Sequence, residues 1–287
     1  MTRATGSTGS ALESFPFDRG RQTNQPTATA LTSPKSKNNS PAEGHRDWVR
    51  DALSAMGRRE EAVAAWRRAI ELDPGFAMAY VGLASTLTLE VRLGWSSSLA
   101  EPLERALALT HKAIALDDAL ADAYGQLGYI LLLQRQHDQS ITAGQHAIAL
   151  SPNGADVHAL LAVTLNFAGR PADGLAMIEK AMRLSPVYPS WYLHILGMSQ
   201  YLVGRYEEAL VAFTHSRDRY PDAWFPYVGL VLTSVQLGRE RDARVAAAEL
   251  LRRDPVFSLE RYAALQPYQN PADLTQELDI LRQGGLK

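Results

Sequence analysis

No cysteine occurs in the 287 residues. That absence excludes a disulfide framework, thiolate metal sites, a thiol nucleophile and a lipid-bearing cysteine. No apolar run approaches the ~18 residues of a membrane-spanning helix. The first residues lack the apolar core of a secretory signal, because Pro, Gly, Ser and Thr interrupt them throughout. Neither charge is in marked excess: 29 Lys and Arg stand against 31 Asp and Glu, a formal charge of −2. The basic footprint of a nucleic-acid binder is therefore missing at the level of the whole chain. These absences predict a soluble cytoplasmic protein with no nucleic-acid role.

Signatures of chemistry are equally sparse. There is no P-loop, no GxGxxG and no GxSxG. The seven histidines include no pair spaced three or four residues apart, so none can share a helix face as zinc ligands do. Glu60-Glu61 and Glu207-Glu208 are adjacent carboxylates, which point about 100° apart on a helix and cannot converge on a substrate. A helix N-terminus accounts for both. The expectation is a non-enzyme with no cofactor and no metal.

What is present falls into two parts. Of residues 1–44, 24 are Pro, Ser, Thr, Gly or Asn, too few large apolar groups to offset ordering entropy, so a disordered tail is expected there. Beyond it, Pro152, Pro186, Pro221 and Pro255 recur at steps of 34, 35 and 34. Asp118 sits 34 residues before Pro152, and Pro74 opens the series one longer step earlier. Between these markers come large-then-small pairs such as Leu127-Gly128, Leu161-Ala162 and Leu196-Gly197. Gly-Arg turns follow at Gly57, Gly169, Gly204 and Gly238. Glycine there closes a helix in the left-handed region, and proline ends the next one. Small residues mark each second helix at Ala62, Ala106, Ser140, Gly174, Ala209 and Ala243. No stretch alternates with period two, so no sheet is expected.

A 34-residue period with this punctuation resembles the tetratricopeptide repeat. The resemblance implies an all-α fold, helix-turn-helix units stacked as a right-handed superhelical solenoid whose first helices line a concave groove. The expected organisation is a tail at 1–44, six repeats over 45–257 with an extended insert at about 88–104, and capping helices at 258–287. A serine of Ser96–Ser98 is expected to cap the helix after the insert, and Ser258 a short helix of the cap. The cap is expected to cover the apolar end of the stack. Arg50, Gly144 and Asp118 depart from the repeat pattern.

Projection of the register onto the groove gives Tyr129, Phe167, Trp191, Tyr201 and Phe225 as aromatic anchors, Asn166 and His194 as polar selectors, and Met198 beside them. A protein or peptide segment is the expected partner, since aromatics bury much area with few rotatable bonds. Self-association through the same groove is a variant of that reading. Three further segments, VRLGWSSS (91–98), RQHDQSI (135–141) and FSLERY…QPYQNPADL…LRQGGL (257–286), resemble the repeat tail behind the catalytic domain of bacterial class III adenylate/guanylate cyclases. That resemblance implies a regulatory or docking module of such a cyclase, without the catalytic domain.

Overall fold

The computed structural model describes residues 59–96, 98–221 and 223–287. The tail, Arg50 and the Gly57 turn lie outside the described residues. Among those described there are thirteen helices and no strand, and no helix is long and apolar enough to cross a membrane. α1 (Arg59–Leu72) precedes five helix pairs: α2 (Ala77–Arg92) with α3 (Ala100–Leu116), α4 (Ala121–Leu133) with α5 (His137–Leu150), α6 (Ala155–Phe167) with α7 (Pro171–Leu184), α8 (Trp191–Leu202) with α9 (Tyr206–Arg219), and α10 (Phe225–Gln236) with α11 (Glu240–Arg253). A short α12 (Leu259–Leu265) and α13 (Pro271–Gln283) complete the chain.

The small second-helix residues set the spacing of the stack. Ala106, Ala113, Ser140, Ala147, Ala181, Ala209 and Ser216 are all fully buried. Larger side chains there would push the facing helices apart. Gly169, Gly204 and Gly238 adopt φ of 72°, 82° and 68°, the left-handed turn expected of them. In the unit α4–α5 the same place is taken by Arg135, at φ 62°. Gly144 leaves no void, because Leu161 fills the space a Cβ would need, 2.8 Å from the position it would occupy.

First helices pack both on their own partner and on the first helices of adjacent pairs, α2 on α4, α4 on α6, α6 on α8 and α8 on α10. They consequently form one continuous inner wall and are buried nearly all round: every residue of α6 from Val157 to Phe167 except Leu160 is buried.

Two expectations need correcting. No serine caps α3: Leu99 is its N-cap, without a side-chain bond, and Ser96 Oγ donates instead to the Ser98 carbonyl (2.6 Å). Pro102 in the first turn removes an N–H that such a cap would have served. The C-terminal cap, moreover, does more than cover the end of the stack. Ser258 does cap α12, accepting from the Arg261 N–H, and Asn270 caps α13 through the Ala272 N–H. But α13 lies against α10, on the inner wall, and the segment joining it to α12 reaches back across the groove.

Candidate functional site

That returning segment and α12 form a strap, tied to the ends of three earlier first helices, α2, α4 and α6. Arg261 donates to the Gly94 carbonyl beyond α2. Arg92 Nη1 lies 3.4 Å from Gln266 Oε1. At the α4–α5 turn, His137 Nε2 donates to the Pro267 carbonyl (2.7 Å), and Arg135 Nη1 reaches the Tyr268 carbonyl (3.5 Å). The Gln269 N–H donates to the Phe167 carbonyl at the end of α6 (2.9 Å), while the Tyr268 ring meets the Phe167 ring edge-on with centroids 4.9 Å apart. All three are joined at or just beyond their C-terminal ends. The strap thus closes one end of the groove. The segments 91–98, 135–141 and 257–286, singled out in the sequence, are the parties to this joint.

Burial anchors the strap. Leu259, Tyr262, Leu265, Tyr268, Ile280, Leu281 and Leu286 are each less than 10% exposed. Within it, Glu277 is buried and accepts from the hydroxyls of both Tyr262 and Tyr268. Burial holds the Glu277 carboxyl above the usual carboxylate range, against the opposing pull of the two phenols and of Arg92. Both phenols are pushed well above their ordinary value, first by burial and then by Glu277.

Above the strap the inner wall encloses a chamber of about 240 Å³, open on one side. Trp66 of α1, Tyr129 of α4, Trp191, His194 and Met198 of α8, and Phe225 of α10 line it, with Trp95 and Trp224 from the loops. A smaller cavity of about 40 Å³ adjoins it, sharing Arg92, His194 and Met198, and is bounded on the strap side by Tyr262, Gln266, Tyr268 and Glu277. Charged groups sit at opposite ends of the helices. Asp122 and Asp156 lie in the first turns of α4 and α6, with Asp156 accepting from the Tyr192 hydroxyl (2.5 Å), and Arg92 lies at the last residue of α2. The Arg92 guanidinium carbon is 5.8 Å from the Phe167 ring centre. No ion pair among the described residues includes it. Burial and the Arg92 charge hold the His194 imidazole down to about 3, so it is neutral at ordinary pH, and its Nδ1 is sealed without a partner. Burial pushes the Tyr129 phenol up, partly offset by Arg92.

The groove positions read from the sequence therefore divide. Tyr129, Trp191, His194, Met198 and Phe225 come together on the chamber wall. Tyr201 borders the adjoining cavity at the strap instead, and burial together with Glu277 raises its phenol. Phe167 is 2% exposed and covered by Tyr268. Asn166, also 2% exposed, is not a selector but a strut, donating to Ser199 Oγ (2.8 Å) between α6 and α8. Its amide also fills the space beside Gly174, where a Cβ would lie 2.3 Å from Oδ1. Arg92, Trp66, Trp95 and Trp224 were missed. Arg92 could have been found, as the one cation of the insert at the end of a first helix. No group of three metal-ligating side chains occurs among the described residues.

A family model described as tetratricopeptide repeat matches residues 51–76 and 121–153. Over 173 residues, 58% of this chain and 68% of the relative, the sequence is 29% identical to the type IV pilus assembly protein PilF of Pseudomonas aeruginosa. In fold, the chain is similar to the Cut9 and Hcn1 complex of the APC/C, with a TM-score of 0.61 at 14% identity over 84% of this chain and 43% of that one. It is also similar to PilW, a type IV pilus biogenesis factor, with a TM-score of 0.51 at 17% identity over 69% of this chain and 88% of that one. At these identities the two structures speak for the fold alone. Taken with the stacked pairs, the repeat match makes this chain similar to tetratricopeptide-repeat proteins over the matched residues, and similar in sequence to a pilus assembly factor.

Proposed function

We propose that the protein is a non-catalytic scaffold whose concave face holds a segment of a partner protein. One observation carries the reading: five successive first helices present a continuous apolar and aromatic wall, and the strap leaves one side of it open. Partly exposed aromatic side chains clustered in a cleft are the usual anchors of a binding surface. The likeness to PilF suggests the class of partner, a subunit of a larger protein assembly. A photo-crosslinking residue at Leu160, half-exposed on the wall, tests this against the same residue at Val211 or Val245 on the outer helices, 54% and 58% exposed. The scaffold reading expects a discrete adduct from Leu160 alone. Adducts from the outer positions alone, or none from Leu160, would sink it. Regulation of a class III cyclase is the second reading; its support is the likeness of the three segments that meet at the strap joint.

A further inference from the structure

The strap makes the groove a dead end, and the dead end has chemistry of its own. An apolar cavity of about 150 Å³ takes a benzene ring. A chamber of about 240 Å³ therefore has room for a bicyclic aromatic ring or a chain of about eight to ten carbons. Its walls are aromatic and aliphatic, as small-molecule sites are, with few polar groups to fix orientation. Those polar groups are asymmetric. Asp122 and Asp156 stand at one end of the helices and Arg92 at the other, where the Tyr129 hydroxyl and, at a marginal 3.4 Å, Gln266 Oε1 are its neutral partners. No carboxylate lies within ion-pair distance of Arg92 among the described residues. An anionic head is drawn to the guanidinium, which sets both the sign of the head and its direction.

We infer that the chamber binds a small amphipathic monocarboxylic acid, its apolar body among the tryptophans and its carboxylate on Arg92. The inference stands apart from the scaffold reading, since such a ligand needs no partner protein. Four of the five tryptophans of the chain, Trp66, Trp95, Trp191 and Trp224, line the chamber and report its occupancy directly.

The test is a tryptophan-emission titration of the full chain with decanoate and with 2-naphthoate, each below any micellar concentration, alongside decanol. The expected result is a saturable change with at least one acid, at tenfold or more higher affinity than decanol. Arg92→Met should weaken the acid tenfold or more and leave the alcohol unchanged. Leu160→Tyr, which narrows the chamber and leaves Arg92 and the strap in place, should weaken both. Helicity by circular dichroism verifies that each variant is folded. No saturable response to either acid from the folded wild-type chain would overturn the inference. So would equal affinity for acid and alcohol, or a folded Arg92→Met chain that binds the acid as the wild type does.

Discussion

At the scale of single residues, the closest fits are where one atom decides. Phe213 of α9 lies between two glycines: a Cβ on Gly197 would come within 2.8 Å of its ring and one on Gly229 within 2.5 Å. Gly229→Ala should therefore destabilise the fold by about 1–3 kcal/mol, the usual cost of overpacking a core. Urea unfolding of Gly229→Ala, Phe213→Leu and the double variant is expected to show a double-variant loss smaller than the sum, because the shorter side chain relieves the clash. Strict additivity would contradict this packing. Two buried groups give opposite pH signatures. Glu277 has a raised folded-state value, so its stabilising contribution is complete below about 4.5 and is lost as pH rises towards that raised value. His194 is depressed from 6.5 to about 3, so its contribution is present above 6.5 and is lost as pH falls through that window. Unfolding free energies of Glu277→Gln relative to wild type should improve as pH rises above 4.5; a difference that stays flat with pH would refute the assignment.

At the scale of elements, the repeat helices and the strap are built on different rules. The helices from α2 to α11 have no side-chain N-cap among the described residues, and they are aligned by neighbours that repeat every 34 residues or so. α12 and α13 each carry one, as elements without such a template must set their own start. This difference explains what could be read from the sequence. Repetition made the helices, the small second-helix residues and the turn glycines legible, since each prediction was made several times over. The same register brings Tyr129, Trp191, His194, Met198 and Phe225 to one wall. Asn166 and Phe167 were misplaced because a single register cannot tell a residue facing a ligand from one facing the next helix or the strap. The strap's path was invisible, since it depends on non-local contacts such as Arg92–Gln266 that no period announces. Gly94 tests the joint. It sits at φ 67°, and a Cβ there would lie 2.8 Å from the Arg261 guanidinium. Gly94→Ala should cost about 1–2 kcal/mol in the backbone alone. It should also raise protease sensitivity between α11 and α12, whereas sensitivity unchanged from wild type would mean that Arg261 does not hold the strap.

At the scale of the whole molecule, the chain fills part of its own concave face. Each fully buried large apolar side chain contributes about 1.5–3 kcal/mol. Seven buried residues hold the strap and the C-terminal helices to the stack, so detachment would expose a large apolar area and is disfavoured. The concave face therefore keeps one fixed, half-closed shape, with no end-to-end channel. Hydrogen exchange measures this directly. Amides of the strap, including Gln269 bonded to Phe167 and Leu259 bonded to Lys287, should exchange as slowly as those of α10, by global unfolding alone. Exchange of residues 257–287 at the rate of an exposed terminus, with α10 still protected, would show the groove to be open along its length and would contradict the account.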